Sequence, residues 1–545
     1  MHRQPLLIKY ASFAALAMIT ACGGGGSSAP TAGNVTTPPS NPAPAPSLFA
    51  LGGTVSGLYG NGKLTLQLKG GESLEIAGNG SFNFAKSLPA GSSYEASVVS
   101  HPAGQRCQVS RGSGSISNAP MTNIAVTCQF SLGGTVTGLN SDVKLVLQEK
   151  GGASLDVAGN GSFTFDNGLP TGGSYEVSIS SQPAGQRCQV NQGSGTMSNG
   201  PVANVTVTCQ TAYAYVLHTQ WVTALSSYQT SVSQYTFGAN GQLRPSGITD
   251  VPISADRAYM TVDPQAANAF FAKSGVNTIF SRTIGAKGEL SATPTATMAS
   301  GSMPLGTCVS PNGQFLYSFN YWDNSIYRYR LDATGGLDST AAPVRVASVY
   351  SASGMAIAAN GKHAYISDSY NSRIYQFSIA LDGSLVPESI ASVPADNSPM
   401  SVVLHPNGKF AYSVNNYGGS ISQFTIGADG LLTPMPTPSV MIASRGMFMA
   451  ISPNGKFAYA NGTNDTILQF AIGADGQLTP LTPASVPATT YSMAMSFDEL
   501  GNNAYVVNNT EKNVTQYTVA ADGQLRKVGS IDTPGQPTEI AIFYR

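Results

Sequence analysis

Seven β-branched residues, Val232, Ile279, Ile326, Ile374, Ile421, Ile467 and Val514, recur at an interval of about 47 residues. Each is followed nine positions later by a glycine (Gly241, Gly288, Gly335, Gly383, Gly430, Gly476, Gly523), and two further on by a leucine, from Leu243 and Leu290 to Leu525. A sevenfold period of that length with no helical pattern inside it is the signature of a ring of β-sheet blades. The 60 glycines and 33 prolines fit short strands joined by tight turns, so the expected class is all-β. Only 10% of residues are charged and the formal net charge is −1. That balance excludes an electrostatic case for a nucleic-acid partner or for attraction to an anionic membrane surface.

The repeat has a constant internal order, clearest in Met400 to Leu404, the turn His405-Pro406-Asn407-Gly408, the strand Phe410 to Asn415, the strand Ile421 to Ile426, and the turn Asp429-Gly430. These read as four strands, a to d from the axis outward, with Asn-Gly and Asp-Gly making the reversals. The first copy begins at Ala212-Tyr213-Ala214-Tyr215, which is a strand b with no strand a before it; Glu539 to Phe543 is a strand a with nothing after it. The C-terminal segment is therefore expected to complete the first blade, giving a closed seven-bladed propeller over 211–545 with no open inner edge.

Residues 1–22 read as an export signal. His2, Arg3 and Lys9 precede an apolar stretch too short for a permanent membrane span. Its end, Ile19-Thr20-Ala21-Cys22, resembles the lipobox of bacterial lipoproteins, which implies that Cys22 is lipidated and becomes the mature N-terminus; a cleaved signal with an incidental cysteine is the alternative. Gly23 after the cysteine resembles outer-membrane sorting. The partner so implied is a membrane, reached through acyl chains, and the expected location is the cell envelope. Residues 23–48, rich in Gly, Ser, Ala, Thr and Pro, cannot build a core and read as a tether with a reach of roughly 30 Å.

Residues 49–129 and 130–210 are an ungapped duplication: Gly52-Gly53-Thr54-Val55 returns as Gly133-Gly134-Thr135-Val136, and Gly78 to Phe82 as Gly159 to Phe163. Alternation in Lys63 to Leu68 and Asn123 to Thr127 marks half-buried strands, and each copy reads as an immunoglobulin-like β-sandwich. Cys107 and Cys128 in the first copy match Cys188 and Cys209 in the second. One disulfide per copy is the simplest connectivity for an exported chain; a zinc site is the rival, without paired C-x-x-C or a histidine constellation beside it. The pair resembles glycine-rich repeats of bacterial surface lipoproteins and reads as a stalk, with a binding role as the alternative.

Tyr505-Val506-Val507-Asn508, with Tyr317 to Asn320 and Tyr412 to Asn415, resembles the strand motif of seven-bladed propellers of the lactonase family, the 6-phosphogluconolactonase-like and YVTN-repeat proteins. The resemblance covers 212–545 and implies the fold more than an activity. Lactonase-like members often end this motif in Asn-Glu, whereas this chain has Asn415-Asn416 and Asn508-Asn509, and an amide cannot act as a general base.

The b–c and d–a loops rim one mouth of the channel. Three residues past the Tyr or Phe of each strand b stand His218, Lys273, Asn320, Asp368, Asn415, Gly462 and Asn508, with Arg445 just before a strand a. The candidate catalytic set is His218, Lys273, Asp368 and Arg445. The candidate ligand-binding set is Asn320, Asn415 and Asn508 with the b–c loop aromatics Trp221, Tyr321, Trp322, Tyr370 and Tyr417, which suit stacking on sugars or anchoring a protein. Polar residues that merely cap strand ends, and a tryptophan that covers the core, are the competing readings. Trp221 falls in the longest b–c loop, 219–231. His363 and His405 belong at the opposite end, and Cys308 reads as a buried inert thiol. No cofactor is called for and no metal: the chain carries no phosphate loop, serine nucleophile elbow or metal-ligand spacing. The function expected is an anchored envelope protein whose propeller binds a glycan, a cell-wall fragment or a protein without catalysis. The alternative is a lactone hydrolase using His218 as base and Lys273 or Arg445 at the oxyanion.

Overall fold

A computed structural model describes residues 46–545 except 153, 239, 255–256, 443–445, 462–464 and 490. Cys22, the lipobox, nearly all of the tether, Arg445 and Gly462 lie outside the described residues. Apart from one short 3-10 turn at Thr223–Leu225, every described element is a strand.

Each N-terminal repeat is two four-stranded sheets across one core. In the first, a sheet holding Leu51–Ser56 beside Met121–Phe130 faces one holding Leu64–Leu68 beside Ser93–Ser100. Alternation decides the burial: Leu64, Leu66 and Leu68 point inward to meet Ile124, Val126 and Phe82, while Thr65 and Gln67 are less buried. The cysteines pair within each copy, Cys107 with Cys128 and Cys188 with Cys209, each joining directly opposed residues of neighbouring strands. Even small details recur: Asn79 Nδ2 donates to the Leu58 carbonyl at 2.8 Å, and Asn160 Nδ2 to that of Leu139 at 2.8 Å.

The propeller has seven four-stranded antiparallel blades, and the closure is as the repeat frame implies. Gln536–Tyr544 is the inner strand of blade 1 and pairs with its strand b from Ala212↔Tyr544 to Thr219↔Gln536. Strands c (Ser227–Phe237) and d (Leu243–Pro245 and Val251–Ser254) complete that blade, and blade 7 ends at Asp532. Strand d of blade 1 is split in two, a detail the repeat did not announce.

Why this repeat closes so regularly follows from two of its conserved-spacing residues. The strand b tyrosine buries its ring between blades and carries its hydroxyl to the carbonyl of the c–d turn glycine in the next blade: Tyr215 to Gly288, Tyr317 to Gly383, Tyr365 to Gly430, Tyr412 to Gly476, Tyr459 to Gly523 and Tyr505 to Gly241, at 2.5–2.8 Å. In five blades a glutamine two positions after the β-branched residue of strand c reaches the amide of the leucine in the next strand d, as Gln423 does to Leu478 and Gln516 to Leu243, while blade 3 has Arg328 at that place. Each such bond contributes about 1 kcal/mol net. The turn glycine is required twice over at Gly288, where φ is +72° and an added Cβ would lie 2.3 Å from the Tyr213 ring. Blade 2 breaks the rule. It has Phe270 for the tyrosine and Ser281 for the glutamine, so its junction with blade 3 is packed apolar surface around Phe270, Leu316 and Tyr329, crossed by Asn268 Nδ2 to the Thr334 carbonyl at 2.9 Å.

The last strand of the second sandwich and strand b of blade 1 are one continuous strand, Val202–Val222. Its first part pairs with Gln186–Asn191 and Leu132–Thr137; its second pairs with Ser227–Phe237 and the C-terminal strand. The junction is further tied by Arg187, which meets Glu499 at 2.5 Å and lies over the Tyr544 ring.

Candidate functional site

The b–c and d–a loops gather at one face of the disc, and the residues named from strand-end position divide there into two classes. The polar ones bond within their own turns, save that Asn415 Oδ1 has no partner among the described residues. Asn320 Nδ2 donates to the Ser325 carbonyl and hydroxyl, Asn415 to the hydroxyls of Ser420 and Ser422, and Asn508 to Asn513 and Thr515. Asp368 accepts the amides of Tyr370 and Asn371 and the side-chain amide of Asn371. All four side chains are fully buried, which is the geometry of capping groups that satisfy a turn.

His218 is likewise buried, at 0% exposure, with Nε2 3.1 Å from the Asp250 carboxylate. Burial lowers its pKa, opposed by Asp250, so the imidazole is held neutral within blade 1 rather than presented at the mouth. Lys273 is half-buried with Nζ 4.6 Å from the centre of the Phe280 ring. His218, Lys273 and Asp368 are thus spread over separate blades and separate local networks. The histidines His363 and His405 are engaged at the a–b turns, with Glu388 and the Gly455 carbonyl. Burial pushes the Cys308 thiol up to about 12, far from the reactive range.

The aromatic residues form the second class. Trp221, Trp322, Tyr370 and Tyr417 are exposed, Trp322 and Tyr370 by 70% and 72%, and Tyr321 is half-buried. Two more rings, not anticipated, join them: Tyr350 lies 4.8 Å from Tyr370, and Tyr228 lies 5.2 Å from Trp221. The segment carrying Trp221 is not the long loop expected over 219–231. Its pairing runs on through Thr219↔Thr230 to Val222↔Ser227, so the residues form a projecting β-hairpin with Trp221 and Tyr228 opposed near its tip.

A polar group at the channel went unrecognised from sequence. Glu539 sits on the closing strand opposite Leu217, the level occupied in other blades by Tyr259, Gly306, Gly354 and Ala494. It is the one charged side chain on any of the seven inner strands. Its Oε2 accepts the Met260 amide of blade 2 at 2.7 Å. Enclosure raises its carboxyl to about 7, against the lowering effect of that amide. On blade 2 burial raises the pKa of the Tyr259 hydroxyl, against the lowering effect of Arg257. The available signal was an acidic residue in a segment whose six counterparts carry none.

Residues 219–542 match the family model described as lactonase, 7-bladed beta-propeller. A putative 6-phosphogluconolactonase from Bacteroides fragilis is similar in structure, with 18% identity and a TM-score of 0.52, over 61% of this chain and 98% of its own. The periplasmic gluconolactonase PpgL of Pseudomonas aeruginosa shows 19% identity and a TM-score of 0.52, over 61% and 99%. At these identities the likeness speaks for the fold. No curated protein sequence matches the chain.

Proposed function

Given that the chain belongs to the lactonase family of seven-bladed β-propellers, we propose that its propeller is a carbohydrate-binding module of the cell envelope, held to a membrane through lipidated Cys22 and raised from it by the tether and the two sandwiches. The observation that carries this reading is the set of exposed rings, Trp221, Trp322, Tyr350, Tyr370 and Tyr417, standing on one face of the disc. Flat aromatic surfaces suit the apolar faces of sugar rings, and rigid exposed aromatics serve as anchors. Binding without catalysis is favoured because Asp368 and the strand-end asparagines are committed to their own turns, and His218 is buried against Asp250.

The test is a glycan array probed with the full chain, followed by titration of any positive glycan against Trp322→Ala and Tyr370→Ala. The reading expects affinity to fall about tenfold or more in each. Unchanged affinity in both, or an array with no positive glycan, overturns it. Anchoring is tested separately by fatty-acid labelling of the wild type and Cys22→Ser, with label expected only in the former.

Glu539 favours a second reading, hydrolysis of a sugar lactone, since a carboxyl titrating near neutrality is poised for general-base work. Turnover on a lactone panel that vanishes in Glu539→Gln supports that reading and removes the claim of binding without catalysis.

A further inference from the structure

The turn after strand b recurs from blade to blade, so residues two positions past the last strand b pair stand at equivalent places around the ring. In blades 3, 4 and 5 these residues are Trp322, Tyr370 and Tyr417, following the pairs Asn320↔Ser325, Asp368↔Arg373 and Asn415↔Ser420. All three are exposed, by 70%, 72% and 65%. Blades 2 and 7, whose pairs are Lys273↔Thr278 and Asn508↔Asn513, have Gly275 and Thr510 there. Successive blades differ by about one-seventh of a turn, so the three rings lie on an arc along one sector of the rim.

The connections between blades fix that arc. Asn324, in the Trp322 turn, accepts the Val349 amide on its carbonyl at 3.2 Å and the Ser351 amide on Oδ1 at 3.0 Å. The Ser351 carbonyl then takes the amide of Ser369, next to Tyr370, at 3.3 Å. Tyr350 is thereby held between two turns, with its ring 4.8 Å from that of Tyr370. Between blades 4 and 5 the Ser398 amide meets Ser372 Oγ at 3.4 Å, and the Ser398 carbonyl takes the Asn416 amide at 2.8 Å. Exposed Asn397 stands there in the place of Tyr350, a donor and acceptor suited to a hydroxyl. The charged groups of the sector are balanced and engaged. Asp323 and Asp396 accept the hydroxyls of Ser325 and Ser420, while Arg345 donates to the Asp323 and Asn324 carbonyls and Arg373 to Ser392.

We propose that this arc over blades 3 to 5 binds an extended, uncharged polysaccharide, a β-1,4-linked chain of equatorially substituted hexopyranoses, laid along the rim rather than into the channel. This rests on the carbohydrate-binding reading above and gives it a ligand class and a sector of the face. One pyranose covers one aromatic ring, so a ligand that uses Trp322, Tyr370 and Tyr417 together must be a chain. Equatorial substitution leaves the faces of each sugar flat and apolar, whereas an axial hydroxyl stands in the way of stacking. The turns are already fixed, so each further contact adds affinity at little ordering cost to the protein.

The experiment is calorimetric titration of the full-length chain in detergent micelles with the disaccharide and hexasaccharide of the cello and chito series, and with maltohexaose as the α-linked control. The proposal expects the hexasaccharide of at least one β-linked series to bind at least about tenfold more tightly than its disaccharide, with maltohexaose far weaker. Whichever series binds identifies the 2-substituent as hydroxyl or acetamido. Trp322→Ala and Tyr417→Ala, at the two ends of the arc, should each lower hexasaccharide affinity about fivefold or more. Tyr491→Ala, which removes a ring 66% exposed just before the inner strand of blade 7, should change it less than about twofold. Equal affinity for disaccharide and hexasaccharide, maltohexaose binding as tightly as the β-linked chains, or a loss in Tyr491→Ala matching that in Trp322→Ala overturns the proposal and leaves the carbohydrate-binding reading standing. Failure of every probe here beside a positive glycan on the array likewise sinks this inference alone, whereas no positive glycan in either experiment removes that reading with it.

Discussion

The two halves of this molecule solve the same problem, how to hold short strands together in a chain with few charges, by opposite means. The sandwiches are near-copies, each stapled by a disulfide between neighbouring strands 21 residues apart in sequence. The propeller repeats have diverged, and they are held by side chains reaching across to the next blade's backbone, with one long-range pairing to close the ring. A small sandwich has too little core to stand far above its unfolding threshold, so a covalent constraint on its unfolded chain matters. A ring distributes its stability over seven junctions, and its exposure lies in whichever junction is weakest and in the one strand that joins its ends. Local covalent security and distributed non-covalent security should therefore fail differently.

The sharpest way to break the comparison is to remove residues 536–545. Blade 1 then loses its inner strand, and the propeller transition in calorimetry should fall by roughly ten degrees or more; an unchanged transition would refute the closing role. Replacing Cys107 and Cys128 together by serine should cost about 3 kcal/mol in the first sandwich and leave the propeller transition in place, so that two separate unfolding events become visible. Within the ring, Tyr412→Phe leaves the Gly476 carbonyl without its donor and should cost about 1–2 kcal/mol by denaturant unfolding. The smallest effect has the opposite sign: Phe270→Tyr supplies the missing hydroxyl at the blade 2–3 junction and should add up to about 1 kcal/mol. Destabilisation there would show that the junction is not built for the bond its neighbours make.

Glu539 also links stability to pH. Its carboxyl binds a proton more tightly folded than unfolded, so its contribution falls as pH rises from the ordinary carboxylate range through about 7. Glu539→Gln should therefore melt a few degrees above the wild type at pH about 8, with the gap closing at pH about 4.

The architecture was legible because it is periodic: one Tyr, one Gly and one Leu per repeat are enough to locate strands b, c and d, and the missing strand a at one end with the surplus at the other implies the closure. The disulfides were legible because the duplication repeats their spacing. Of the candidate residues, the exposure of the aromatics was legible from their place in the b–c turns. Trp322 and Tyr370 are exposed on turns of the mouth face. By contrast, Asn320, Asn415 and Asn508 were placed correctly along the chain, but whether a strand-end amide faces a ligand or its own turn depends on the serine or threonine five to seven residues on. His218 needed Asp250, 32 residues away, to show that it points inward. Glu539 and Met260 come from opposite ends of the propeller sequence, and only ring closure makes them neighbours.

The unbroken strand Val202–Val222 fixes how a mechanical load enters the disc. Tension from the N-terminal side passes into blade 1 along the axis of the ribbon, where the bonds from Ala212↔Tyr544 to Thr219↔Gln536 resist it in shear, all at once rather than one after another like a zip. The rim hairpin bearing Trp221 lies at the far end of that same ribbon, so its bearing toward the second sandwich is set by backbone twist and not by a hinge.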